Sequence, residues 1–263
     1  MKASVREPAA GGHRRGMALW LSLTFGLWGC SSQPPPKPVK PPRAEELVNR
    51  GFERQRRGDL DGALTLYNQA IELDPRAANA YSNRGLIRQD RGDLDGAIAD
   101  FTRALEIDPH LISTLLNRGL ARQDQGNLDG AIADFDAALE LRPGFPRALL
   151  DRASARHQKG DVKGALADVE EAIRQDPRFP HAYNSRGYLK EVTGDRAGAI
   201  ADYTEAVRLD PDFADAYVNR GLALLAAGKD AEAQKDFDLV GTRWPDRREE
   251  LAKRIAEVKK PGR

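Results

Sequence analysis

A period of 34 residues runs through the chain from position 44 to position 247 and constrains its fold more than any other feature. Prolines fall at Pro75, Pro109, Pro143, Pro177, Pro211 and Pro245, and alanines keep the same spacing at Ala63, Ala97, Ala131, Ala165, Ala199 and Ala233. A glycine register runs through Gly58, Gly92, Gly126, Gly160, Gly194 and Gly228. A second holds Gly51, Gly85, Gly119, Gly187 and Gly221, interrupted by Ala153, and an aromatic register holds Tyr67, Phe101, Phe135, Tyr203 and Phe237, interrupted by Val169. Six units thus fill residues 44–247 without an insertion. Such a chain stacks one small unit on the next, and each buries its apolar face only against its neighbours.

Within a unit the pattern predicts a helix, a glycine stop, a second helix and a closing proline. In residues 78–109, Tyr81, Gly85 and Arg88 share one helical face, and Gly92 stands where a left-handed residue ends a helix. Asp93 can cap the next helix, along which Ala97, Phe101, Ala104 and Leu105 keep helical spacing until Pro109 stops it. Glycine and alanine at facing positions let the two helices approach, and the aromatic fills the space beside them. The expected fold is all-α, a solenoid of six helix pairs ended by a capping helix in residues 248–263. There Leu251, Ile255 and Val258 make an apolar stripe, while Glu249, Glu250, Lys253, Arg254 and Lys259 face water.

These registers resemble the tetratricopeptide repeat: a large residue at position four, then small, small, aromatic, small and proline at positions eight, twenty, twenty-four, twenty-seven and thirty-two. The resemblance implies a right-handed superhelix of antiparallel helix pairs, with the first helix of each pair lining a concave groove.

Two columns add to that pattern. Arginine holds position seven throughout, at Arg50, Arg84, Arg118, Arg152, Arg186 and Arg220, and position twenty-three carries Asp100, Asp134, Asp168, Asp202 and Asp236. The matched period favours ion pairs between helices; the alternative is a stripe of arginines that grips acidic ligands. Asparagine recurs at position six, at Asn49, Asn83, Asn117 and Asn219, with Asp151 and Ser185 interrupting. Asparagine is a poor residue inside a helix, so helix preference does not explain the column. It resembles the asparagine ladder in the repeat domain of the O-linked N-acetylglucosamine transferase, which implies a hold on the backbone of an extended peptide. The other reading is that asparagine is common at this position without any ligand. Gln55, Gln89 and Gln123 at position twelve would add amides to such a groove, and Phe52, Leu86, Leu120, Tyr188 and Leu222 at position nine would add apolar contact.

The first 43 residues differ in kind. Lys2, Arg6, Arg14 and Arg15 precede an uncharged, mostly apolar run from Met17 to Trp28, which is too short to span a membrane and fits the core of an export signal. Leu27-Trp28-Gly29-Cys30 resembles the bacterial lipobox, which implies a signal peptide over residues 1–29 and lipidation of Cys30; Trp28 is bulkier than usual there. A plain secretory signal, or a cytoplasmic protein with an early start codon, is the competing reading. Residues 31–43 hold six prolines and almost nothing that could enter a core, so 30–43 is the lipidated cysteine and a linker. A proline-rich ligand for an aromatic groove is its sharper alternative.

Composition excludes several function classes. With 41 basic against 40 acidic side chains there is no field to attract nucleic acid. One cysteine rules out a disulfide scaffold, and four histidines leave little for a metal site. His110 and His181 fall in or near the connections between units, and His157 faces the expected groove. No phosphate loop, GxSxG elbow or GxGxxG after a strand is present. The expected protein is therefore non-catalytic, without cofactor or small-molecule substrate. It is an envelope lipoprotein, outer-membrane-anchored and facing the periplasm, that binds segments or helices of other envelope proteins. Its layout resembles lipoprotein adaptors of peptidoglycan hydrolases, pilotins of pilus secretins and accessory subunits of barrel assembly. Two alternatives accompany it. A self-associating envelope protein fits the near-identical successive surfaces. A cytoplasmic co-chaperone would need lysines at positions two and five, where this chain has Glu45, Val48, Asn79, Ser82, Ser113 and Leu116.

Overall fold

The computed structural model describes residues 43–260, and the expectations for the export signal, Cys30 and nearly all of the linker lie outside the described residues. Helices α1 (Ala44–Arg56) and α2 (Leu60–Leu73) form the first pair, α3 (Ala78–Asp90) and α4 (Leu94–Ile107) the second, α5 (Ile112–Asp124) and α6 (Leu128–Leu141) the third. The series continues with α7 (Pro146–Gln158) and α8 (Val162–Gln175), α9 (Pro180–Val192) and α10 (Arg196–Leu209), and α11 (Ala214–Ala226) and α12 (Asp230–Arg243). A 3-10 turn at Pro245–Arg247 leads into α13 (Arg248–Val258). No strand occurs among the described residues.

Each turn inside a pair is set by two residues. The glycines at 58, 92, 126, 160, 194 and 228 take φ between 72° and 89°, a region that side chains with a Cβ rarely adopt. The residue after each, Asp59, Asp93, Asn127, Asp161 or Asp195, accepts a hydrogen bond from the backbone N–H three positions on, at 2.9–3.0 Å. Such a cap contributes about 1 kcal/mol. Lys229 stands in its place in the sixth unit and gives no side-chain cap.

Packing makes two layers. Each helix contacts the next, and every odd helix from α1 to α11 also touches the following odd helix, whereas no even helix touches the next even one. The odd helices are therefore the crowded, inner layer and line the concave face. Helix α13 lies mainly on α11, continuing that inner row and closing the end of the stack. Leu251 is buried there and Ile255 half-buried, but Val258 is exposed, so the apolar stripe expected in the cap is one turn shorter than its sequence suggests.

Between the layers, the position-twenty alanines and the rings of Tyr67, Phe101, Phe135 and Tyr203 are fully buried. The ring explains the glycine at position eight. A Cβ on Gly85 would meet Phe101 Cε1 at 2.7 Å, and on Gly119 it would meet Phe135 Cε1 at 2.5 Å.

Candidate functional site

The arginine column is spent inside the fold. Arg84 donates through Nε and Nη2 to the two oxygens of Asp100 at 2.9 and 2.7 Å. The same fork joins Arg152 to Asp168, Arg186 to Asp202 and Arg220 to Asp236, and Arg118 holds Asp134 through both nitrogens. These aspartates are buried. The hydrogen bond to its aspartate holds each of the Arg84, Arg186 and Arg220 guanidiniums above the usual arginine range. A second cation reaches four of the carboxylates: Arg88 to Asp100, Arg122 to Asp134, Arg156 to Asp168 and Lys190 to Asp202, at 2.7–2.9 Å. Sequence reasoning missed this column, although Arg54, Arg88, Arg122, Arg156 and Lys190 repeat at position eleven in plain view. Five arginine forks are thus filled by the chain's own acids. Arg50 faces no aspartate, since Leu66 occupies that register, and it is exposed.

The asparagine column divides into an open and a closed part. Asn49 is exposed, and Asn83 and Asn117 are half-buried. Asn49 and Asn117 each line a recess of the inner face. Asn83 lies beside the Tyr67 hydroxyl, which donates to Gln55 Oε1 at 2.8 Å; burial pushes the pKa of that hydroxyl up to about 12. Asn219 is different. Its Nδ2 donates to Asn184 Oδ1 and its own Oδ1 accepts from Arg254 Nη2 of α13, both at 3.0 Å. Leu222 is only 8% exposed and belongs to the cluster that includes Leu251. Of the two groove residues expected in the sixth unit, Leu222 is buried beneath the capping helix, and Asn219 is hydrogen-bonded to that helix while still lining a pocket of the inner face.

The remaining candidates are mixed. Gln55 gives its oxygen to Tyr67, and Glu191, at the same position, accepts from the buried Tyr203 hydroxyl at 2.7 Å. Position twelve thus serves the ring of position twenty-four whenever that ring is tyrosine. Gln89 is half-buried, while Gln123 Nε2 donates to Ser154 Oγ at 2.9 Å and its Oε1 is buried without a partner among the described residues. Phe52 and Tyr188 are about half exposed, at 48% and 47%, and Leu86 and Leu120 are half-buried. His157 packs edge-on to Tyr188, with ring centres 5.2 Å apart. His181 lies in the first turn of α9, just after the connection between units and between the rings of Phe179 and Phe213.

Asp151 takes the column's place in the fourth unit. It pairs with Arg147 at 2.9 Å, and burial raises its carboxyl above the usual range. The inner face therefore offers amides and apolar side chains in its first three units and a polar-rimmed pocket towards α13. Among the described residues no cluster of three or more His, Cys, Asp or Glu is placed to hold a metal ion.

Family comparisons agree with this architecture. A "TPR repeat" family matches residues 55–90 and 193–228, and two "Tetratricopeptide repeat" families match 116–180 and 78–111, together more than half of the chain. No curated protein matches. Among solved structures, PilW, described as a widely conserved type IV pilus biogenesis factor, aligns with TM-score 0.71 at 20% identity over 82% of this chain and 98% of its own. A tetratricopeptide repeat protein from Parabacteroides merdae aligns with TM-score 0.66 at 20% identity over 83% and 94%. YrrB, described as a TPR protein with an unusual peptide-binding site, aligns with TM-score 0.57 at 22% identity over 71% and 92%. At these identities the likeness carries the fold.

Proposed function

The chain belongs to the tetratricopeptide repeat family, and from that premise we propose that it is a non-catalytic scaffold whose inner face holds extended segments or helices of partner proteins. The observation that carries this reading is the state of Asn49, Asn83 and Asn117. They recur once per unit on the inner layer, and among the described residues none is held between two side chains as Asn219 is, Asn83 having only the Tyr67 hydroxyl beside it. A side-chain amide offers a donor and an acceptor together, so it can pair with a ligand's peptide group without reading the ligand's side chains. Phe52, Leu86 and Leu120 lie three positions further along the same helices and supply apolar contact. An unusual peptide-binding site in YrrB and a type IV pilus biogenesis role in PilW, each as its description states, are consistent with a protein ligand.

The partners are other envelope proteins, and the scaffold is held at a bacterial envelope membrane, the outer membrane on its periplasmic side, through lipid on Cys30. The export-signal pattern of residues 1–29 and the linker after it support this part. Lipid chains contribute about 0.8 kcal/mol per buried methylene, so losing them detaches the domain. Cys30→Ala should then yield unprocessed or soluble protein, and labelled fatty acid in that variant would contradict the anchor.

End-to-end self-association is the competing reading. Helix α13 covers one end of the stack, which favours the monomeric scaffold. A photo-cross-linker at Phe52 or Leu120 should capture the same partner, while one at exposed Arg103 on the second helix of its pair should not. Capture of only a second copy, with mass rising in light scattering as concentration rises, would favour assembly instead.

A further inference from the structure

The fourth unit departs from the repeat in a way that leaves a ligand pocket. In the other five units the ring of position twenty-four packs on the glycine of position eight, and a tyrosine hydroxyl there reaches position twelve. In the fourth unit those positions hold Val169, Ala153 and His157. The chain has given up its own ring at that point, and a pocket of about 360 Å³ lies there, with all three residues in its wall. Leu150 and Leu189 extend the apolar wall, and the Tyr188 and His157 rings stand together at the side. The lining comes from α7, α9, α11 and α13, with Val169 from α8, so the pocket opens on the inner face.

Its charge is unbalanced. Arg254 of α13 lines the pocket, is half-buried, and makes no ion pair among the described residues; its guanidinium donates to the neutral Asn219. The one acid in the lining, Asp215, is paired with Arg247, and Glu191, which accepts from the Tyr203 hydroxyl, is not part of the lining. A half-buried guanidinium with free N–H groups next to an apolar wall favours a ligand that brings a carboxylate and a ring together.

We propose that this pocket takes an aromatic side chain lying next to a carboxylate in the segment bound by the groove. The proposal rests on the groove reading and adds a point of side-chain selection to it. The carboxylate has two sources, the C-terminus of the segment or an acidic residue beside the aromatic one.

Three probes separate the possibilities: N-acetyl-phenylalanine, N-acetyl-phenylalaninamide, and N-acetyl-phenylalanyl-glutamate with its terminus amidated. Binding is read from the methyl NMR signals of Leu150, Val169 and Leu189 in the full repeat domain with its cap. One or both carboxylate probes should shift these methyls and bind about tenfold more tightly than the neutral amide, the factor expected for one charge-assisted hydrogen bond. Which carboxylate probe binds identifies the source. Arg254→Gln should reduce the carboxylate probes to the level of the neutral one. The double change Ala153→Gly with Val169→Phe restores the pair found in the other units, so it should fold with an unchanged or higher melting temperature and abolish binding of all three. Equal affinity for charged and neutral probes, no methyl shifts, or undiminished binding in the filled variant would each overturn the proposal. If that happens while a partner still depends on Asn49, Asn83 and Asn117, the groove reading stands and only the pocket reading falls.

Discussion

Ala153 and Val169 pack in one buried cluster at the two positions that the other five units give to a glycine and an aromatic ring. The exchange is paired for a steric reason, since a Cβ at position eight would lie 2.5–2.7 Å from the ring in the other five units. A smaller residue at position twenty-four makes room for the methyl.

That coupling can be measured. Gly119→Ala should gain about 1 kcal/mol in helix propensity and lose about 1–3 kcal/mol to overpacking against Phe135, a net loss of up to about 2 kcal/mol. Adding Phe135→Val should recover part of the loss attributable to the clash, giving a coupling energy of opposite sign to the single effects. Strictly additive denaturation energies would show that the ring and the glycine are independent.

The ion pairs should not be equal. Among the described residues Arg220 is the sole cation on buried Asp236, because Leu224 stands where the other units place Arg or Lys, whereas Asp100 keeps Arg88 when Arg84 is removed. Leaving a buried charge uncompensated costs about 3–5 kcal/mol. Arg220→Ala should approach that range in urea unfolding, and Arg84→Ala should fall well below it. Equal losses would mean that the second cation contributes nothing.

Asp151 gives the domain a pH dependence of known sign. Burial raises its folded carboxyl pKa above the unfolded value, so ionisation weakens the fold, and that penalty grows as pH rises from the model-peptide value of 3.8 through the folded one. Asp151→Asn restores the residue of the column and removes the penalty. The variant should melt higher than the parent at pH 7, with the difference shrinking towards pH 3. A lower melting temperature at pH 7 would show that the pair with Arg147 outweighs the burial.

Deleting residues 248–263 should uncover Leu222 and Val240, lower the melting temperature and promote aggregation, because a solenoid's stability is close to a sum of unit and interface contributions. Trp244 packs in the same cluster and should report the change as red-shifted emission. Unchanged melting and emission would make α13 a tail.

Much of this was legible in the sequence because strict repetition ties each residue type to one physical task. Gly92 marks a left-handed turn, Asp93 a cap, and Phe101 and Gly85 a matched pair. The Arg–Asp ladder followed from two columns of equal period. The ends were less legible. Asn219 and Leu222 carry the same letters as their counterparts in inner units, and only the three-dimensional position of α13 buries Leu222 and gives Asn219 an arginine partner. The pocket at Val169 was visible only as an interruption of two registers. Which amides are spent, as Gln55 is on Tyr67, depends on contacts between helices that no single column records.

The affinity of a partner for the triple variant Asn49→Ala, Asn83→Ala, Asn117→Ala tests the groove most directly. One amide bond in a partly wet groove is worth about 0.5–1.5 kcal/mol, so three together should lower affinity at least tenfold, while alanine's better helix propensity holds or raises the melting temperature. Undiminished binding of a partner that cross-links at Phe52 or Leu120, or a collapse in stability that makes these asparagines part of the helix packing, would contradict the peptide-holding role.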